Sequence, residues 1–129
     1  MCIGIAELAR LVEPLGATVL PIPITEVLHL KSAFTALPCG TIIYWPDALT
    51  PSQLELISTH NQGKVVASLE ESGSHVVVLD RHTLLISKYA TKTIEMLNAL
   101  PYNYTCIEVD ISEYEKLEGC VTCLSVRIR

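Results

Sequence analysis

The sequence predicts an α/β fold assembled from repeated ββαβ units, and three observations carry that prediction. Apolar residues at helical spacing alternate with short β-rich runs. The helix-then-strand pattern recurs, with strands beginning at Thr18, Lys64 and Thr105, an interval typical of arrays of small supersecondary units. No glycine-rich strand-to-helix turn is present, which sets the chain apart from dinucleotide-binding α/β folds.

Each element follows from local signals. Ile5, Leu8, Leu11, Val12 and Leu15 fall on one helical face, and Gly16 stops that helix. The run Thr18 to Ile24 is extended, but Pro21 and Pro23 remove two ladder donors and predict an edge or irregular strand. Thr41 to Trp45 reads as a short strand. Thr50-Pro-Ser-Gln53 is a capping box with proline at the first helical position, Leu54 and Ile57 form the inner face, and Gly63 ends the helix. Lys64 to Ser68 is the next strand. His75 to Leu79 and Thr83 to Ser87 predict a hairpin around Asp80-Arg81. Ile94, Leu97 and Leu100 share a helical face that Pro101 terminates, and Tyr104 to Val109 returns as a strand. Ser112 and Glu115 read as a second capping box, predicting a short helix over residues 112–118 ended by Gly119, with Cys120 to Ile128 as a last strand.

The first and third copies match in detail: Ile24-Thr25-Glu26 follows the strand in one, Ile111-Ser112-Glu113 in the other. Repeats of this kind bury their apolar faces against neighbours, so an open array leaves raw edges able to pair with a partner.

Composition narrows the function classes. The 129 residues are enough for one ordinary domain, 50% of them are hydrophobic and 18% charged, and mean hydropathy is +0.40, so a packed core is expected rather than disorder. Net charge is −5 and the isoelectric point near 5.3. This argues against nucleic-acid or anionic-membrane partners, which need clustered cationic surface, and leaves a small cationic ligand open. The longest uncharged stretch, Ser32 to Pro46, is broken by Pro38 and Gly40 and is too short to span a bilayer. Five cysteines make an odd count behind a start that Glu7 and Arg10 make unlike a signal peptide, so a reduced, cytoplasmic protein is the expectation.

Candidate chemistry centres on cysteine and histidine. Cys120-Val-Thr-Cys123 as a redox pair wants its first cysteine at a helix N-terminus, whereas a strand-like Leu-Ser-Val-Arg-Ile follows it. As half a zinc site it lacks a second closely spaced pair, since His75 and His82 are too far apart and Cys106 stands alone. Two buried cysteines on a strand is the plain structural alternative. His29 lies between two leucines just after the first strand, His60 sits near a helix C-terminus, and Tyr44-Trp45 reads as packing.

In combination, Leu28-His29-Leu30-Lys31-Ser32 and Ser112-Glu-Tyr-Glu-Lys-Leu-Glu-Gly119-Cys-Val-Thr-Cys123-Leu-Ser-Val-Arg127 resemble the dimethylarginine dimethylaminohydrolases. That family belongs to the guanidine-modifying (pentein) superfamily with arginine deiminases and amidinotransferases. The resemblance covers residues 1–129 as the C-terminal portion of a single domain of that kind. It implies a five-bladed α/β propeller with the active site in the central channel. It implies Cys123 as nucleophile, His29 as general acid and base, and substrate contacts through backbone carbonyls at Leu117 and Cys120, with no metal and no organic cofactor. The implied reaction converts methylated arginine to citrulline and an alkylamine through a covalent thiouronium on the cysteine.

Departures from the family pattern accompany the match. Cys120 stands where glycine or a small apolar residue is usual, and offers a second thiol that could oxidise against Cys123. Ser74 and His75 stand where asparagine and cysteine are frequent. The family's acidic clamp for the guanidinium lies upstream of the histidine motif; only Glu7, Glu13 and Glu26 precede His29 here, none in a matching motif. The expectation is therefore a hydrolase portion, fragment or shortened product, inactive on its own, that self-associates or pairs with an absent N-terminal half. The alternatives are a non-catalytic module pairing through sheet edges, or a related arginine deiminase or amidinotransferase.

Overall fold

The structure, a computed structural model, describes residues 3–128. Two ββαβ units follow one another with the same topology. In the first, β1 (Phe34–Ala36) and β2 (Ile42–Tyr44) form an antiparallel hairpin, α3 (Pro51–His60) crosses over, and β3 (Val65–Ala67) returns parallel to β2. The second repeats this with β4 (Val77–Val78), β5 (Thr83–Ser87), α4 (Thr91–Ala99) and β6 (Thr105–Val109), again one antiparallel and one parallel pairing. The remaining helices are α1 (Ile3–Val12), α2 (Leu30–Ala33) and α5 (Ser112–Glu115).

Local chemistry explains the sequence-legible parts. Thr50 and Gln53 close a reciprocal capping box on α3, with Gln53 N–H to Thr50 Oγ1 at 3.3 Å and Thr50 N–H to Gln53 Oε1 at 2.7 Å. Gly63, at φ 74°, turns the chain from α3 into β3. The β4–β5 turn is organised by Asp80, whose Oδ1 accepts the N–H groups of His82 and Thr83, each at 2.8 Å. The main core joins the two units: Leu37 and Ile43 from the first pack with Val76, Leu84, Ile86, Ile94, Leu97 and Tyr104 from the second. A smaller cluster, Ala33, Ala48, Leu49 and Ile57, lies between α2 and α3.

Three expected elements differ. Residues 18–24 form no strand; the segment is tied down instead by Gln53 Nε2, which donates to the Pro23 carbonyl. Residues 120–128 form a turn and an irregular run rather than a strand, because no neighbouring strand offers them a ladder. The helix at 112–115 is shorter than expected, and Ser112 makes no capping bond; its own N–H donates to Asp110 Oδ1 at 3.1 Å. The left-handed residue closing that region is Glu118, at φ 60°, rather than Gly119. Two elements absent from the sequence reading, α2 and β1, occupy 30–36. The apolar face of α1 and of the 3-10 turn after it (Glu13–Leu15) is uncovered, with Leu8, Leu11 and Leu15 at 50%, 57% and 81% exposure. No helix among the described residues is long and apolar enough to cross a membrane.

Candidate active site

His29 is the extended N-cap residue of α2, and its side chain is exposed. What fixes its neighbourhood is the Ser32 carbonyl. That oxygen accepts from Ser74 Oγ at 3.2 Å and lies 2.7 Å from His75 Nε2, so the loop before β4 grips the helix that carries His29. Thr35 continues the web: its buried Oγ1 donates to the Ser74 carbonyl at 2.8 Å and accepts from Lys31 Nζ at 3.0 Å. Desolvation holds the His75 pKa below the ordinary imidazole value, and Lys31 adds to this; the Ser32 carbonyl, Glu71 and Glu115 oppose it.

A cavity of about 450 Å³ opens beside this web, lined by Glu26, Leu28, Ser32, Glu71, His75, Glu115, Glu118 and Gly119 among others. Four carboxylate residues lining one cavity make a negative environment. Oε1 of Glu115 is buried there and has no hydrogen-bond partner among the described residues. Of these acids the sequence alone brings out Glu26, because the resemblance puts the clamp upstream of His29. Glu71, Glu115 and Glu118 come after it in the chain, and the acidic run Ser112 to Gly119 was the available signal.

The terminal segment adjoins the same region through Gly119, which lines the cavity. Cys120 is 1% exposed and Cys123 is exposed, with their sulfurs 3.2 Å apart. The Thr122 hydroxyl lies 2.9 Å from Cys120 Sγ. Burial raises the Cys120 thiol, but hydrogen bonds from Thr122 and Cys123 outweigh it and favour the Cys120 thiolate. The hydrogen bond to Cys120, with burial second, pushes the Cys123 thiol up. Lys31 is within electrostatic reach: desolvation lowers its ammonium pKa, and a charged Cys120 acts against that.

The geometry thus brings the histidine segment and the cysteine segment to one region. Leu28 and Ser32, which flank His29, and Gly119, which precedes Cys120, line the cavity. His29 and Cys123 themselves do not line it, and no hydrogen bond joins them among the described residues. Leu117 projects its side chain outward, at 83% exposure. No group of three His, Cys, Asp or Glu side chains among the described residues is placed to hold a metal ion.

No family model matches the chain. Over 127 residues, 98% of its length, it is 47% identical to the N(G),N(G)-dimethylarginine dimethylaminohydrolase of Streptomyces coelicolor. The chain is a homologue of the dimethylarginine dimethylaminohydrolases. It spans about half the length of this curated relative, 45%. Solved structures add the fold. The Pseudomonas aeruginosa dimethylarginine dimethylaminohydrolase, in a cysteine-to-serine mutant complexed with citrulline, superposes with a TM-score of 0.71 at 23% identity, over 97% of this chain and 46% of that one. An amidinotransferase of the saxitoxin pathway from Microseira wollei gives 0.76 at 18% identity, over 100% of this chain and 39% of that one. The N-terminal domain of a cyanobacterial arginine dihydrolase, bound to product, gives 0.74 at 18% identity, over 93% and 45%. The dimethylarginine dimethylaminohydrolase homologue therefore shares the fold of these proteins over the aligned part, in the form of two small mixed sheets with their crossover helices.

Proposed function

We propose that this chain is the C-terminal portion of a dimethylargininase-like hydrolase, supplying the nucleophile Cys123 and the general acid and base His29 to a five-bladed propeller completed by other residues. The observation that carries the proposal is the 47% identity over nearly the whole chain. The citrulline complex of the Pseudomonas relative supports a guanidine as substrate class.

A guanidinium carbon is a weak electrophile because its charge is spread over three nitrogens. A thiolate suits it, being strongly nucleophilic and able to leave again. Attack by the Cys123 sulfur forms a tetrahedral adduct, and its collapse expels the alkylamine as His29 protonates the departing nitrogen. His29 then takes a proton from water, which attacks the thiouronium carbon and releases citrulline and the thiolate. The neighbouring Cys120 holds the Cys123 thiol above its ordinary value, so charging Cys123 falls to the bound cation or to a protonated imidazole. The carbonyls of Leu117 and Cys120 are placed by this proposal at the amino-acid end of the substrate.

The carboxylates of Glu26, Glu71, Glu115 and Glu118 favour a cationic guest in the adjacent cavity. The proposal still expects the 129-residue chain alone to form no citrulline from methylarginine or arginine, because the resemblance puts the acidic clamp upstream of the histidine motif and the chain spans 45% of the relative. Two assays test this. Chloroacetamidine, a cationic alkylating agent, should label Cys123 ahead of Cys39 and Cys106; equal labelling removes the nucleophile assignment. A chimera placing this chain after the N-terminal remainder of the Streptomyces relative should form citrulline, and Cys123→Ser should abolish it.

A second reading rests on α1. Its uncovered leucines favour a chain that binds a partner through that face, either the remaining blades or another copy. Sedimentation of the isolated chain separates these: a monomer that dimerises only with intact Leu8 and Leu11 supports self-pairing.

A further inference from the structure

We propose that Cys120 and Cys123 close reversibly into an intrachain disulfide when the protein meets a peroxide, with the buried Cys120 as the resolving thiol. The two sulfurs are already in contact at 3.2 Å, so the bond requires an approach of only about 1 Å. The backbone holds them there. The Leu124 N–H donates to the Cys120 carbonyl at 3.2 Å, and Ser125 Oγ donates to the Val121 carbonyl, so residues 120–125 form one closed turn.

Exposure divides the labour between the two. Cys123 is exposed and meets the oxidant, whereas Cys120 is 1% exposed and is shielded from it. The deprotonated fraction of Cys123, kept small by the hydrogen bond to Cys120, attacks one peroxide oxygen, forming a sulfenic acid as the other oxygen leaves and is protonated to water or an alcohol. The Cys120 thiolate then attacks the Cys123 sulfur, and the sulfenic oxygen leaves as water once protonated. In sum, two thiols are oxidised and one peroxide is reduced. The hydrogen bond from Thr122 to Cys120 Sγ stabilises the thiolate that the second step needs. Without a resolving neighbour, a sulfenic acid advances to sulfinic acid and is lost; with one, a thiol such as dithiothreitol restores both cysteines. Neither Cys39 nor Cys106 makes a sulfur–sulfur contact among the described residues. This pairing is distinct from thiol–disulfide catalysis, since Cys120 opens a turn rather than a helix. Masking of a nucleophile rests on the hydrolase proposal above, but the bridge itself does not.

The test uses the 129-residue chain and hydrogen peroxide. Trypsin releases Leu117 to Arg127 as one peptide holding both cysteines and no other. After peroxide and iodoacetamide, that peptide should be unalkylated and lighter by two hydrogens than its reduced form. It should become doubly alkylated if dithiothreitol is added before iodoacetamide, while the peptides of Cys39 and Cys106 stay alkylated throughout. In Cys120→Ser the same dose should carry Cys123 to sulfinic acid that dithiothreitol does not reverse. Three results overturn the proposal: Cys123 overoxidised beside an alkylated Cys120, a bridge from Cys123 to another cysteine, or both thiols intact while free cysteine in the same tube is consumed. The wild-type map decides even if Cys120→Ser fails to fold. Because it reads peptide mass and not citrulline, a failure here leaves the hydrolase proposal standing.

Discussion

The two ββαβ units share a topology and differ in how their helices begin. In the first, α3 is capped from within, by Thr50 and Gln53 at its own start. In the second, the N-cap position is Ala90, whose methyl group cannot accept a hydrogen bond, and the cap comes from Glu70 in the connection between β3 and β4. Its carboxylate accepts from Lys92 N–H at 2.9 Å, Thr93 N–H at 3.0 Å and Thr93 Oγ1 at 2.7 Å. The lesson is that one architecture tolerates either a local or a borrowed solution to unsatisfied helix donors, and only the local one is written where a reader of sequence would look. The units also differ in sheet length: β5 and β6 are paired over five positions, β2 and β3 over three.

The largest expected effect tests whether the units are separable. Leu97 is fully buried in the cluster that includes Leu37 and Ile43 of the first unit. Leu97→Ala should cost about 2–5 kcal/mol of unfolding free energy and leave a single denaturant transition. A first unit that keeps its own melting point in this variant would break the view of a shared core.

The next effect sharpens the contrast in capping. Glu70→Gln should cost about 1–2 kcal/mol, and Thr50→Ala about 1 kcal/mol, read from urea midpoints. Acid separates them. Burial raises the Glu70 pKa, but the hydrogen bonds from Thr93 and Lys92 outweigh it and hold it below the ordinary carboxylate value. A depressed folded pKa means that its contribution is complete above the unfolded value and is lost as pH falls through the folded one. Stability should therefore fall less steeply between about pH 5 and pH 3 in Glu70→Gln than in the wild type, while Thr50→Ala keeps the wild-type slope. Equal slopes in all three proteins would remove the charged-cap account.

Smaller still is the effect of Gln53→Ala relative to Thr50→Ala. Gln53 also ties down the Pro23 carbonyl, so its loss should speed proteolysis within residues 18–24 with little further change in melting temperature. Cleavage unchanged from Thr50→Ala would show that the extended segment is held by other contacts.

Much of the fold was legible where the signal is local. The Thr50 box, the Pro101 stop and the short β-rich run Thr83 to Ser87 each specify their element within a few residues. Strands at 18–24 and 120–128 were misread because a strand is completed by a partner, and β-propensity says nothing about whether one is adjacent. Ser112 looked like a cap by spacing, yet Asp110 two residues earlier takes its N–H. At the candidate site, the motifs around His29 and Cys123 point to segments that meet beside the cavity, although neither side chain lines it. The convergence of Glu26, Glu71, Glu115 and Glu118 on one cavity and the grip of Ser74 and His75 on Ser32 were invisible, since both join segments distant in the chain.

That grip has a consequence under acid. With a carbonyl as its acceptor, His75 must carry its proton on Nε2, leaving Nδ1 bare in the neutral ring. Protonation adds a hydrogen at Nδ1 and leaves the Nε2 donor where it was. The tether on α2 therefore outlasts the imidazole's titration, and acid strains the region only by charging a ring that desolvation prefers neutral. A helix anchored in this way keeps its aim across the pH interval in which its anchor changes charge.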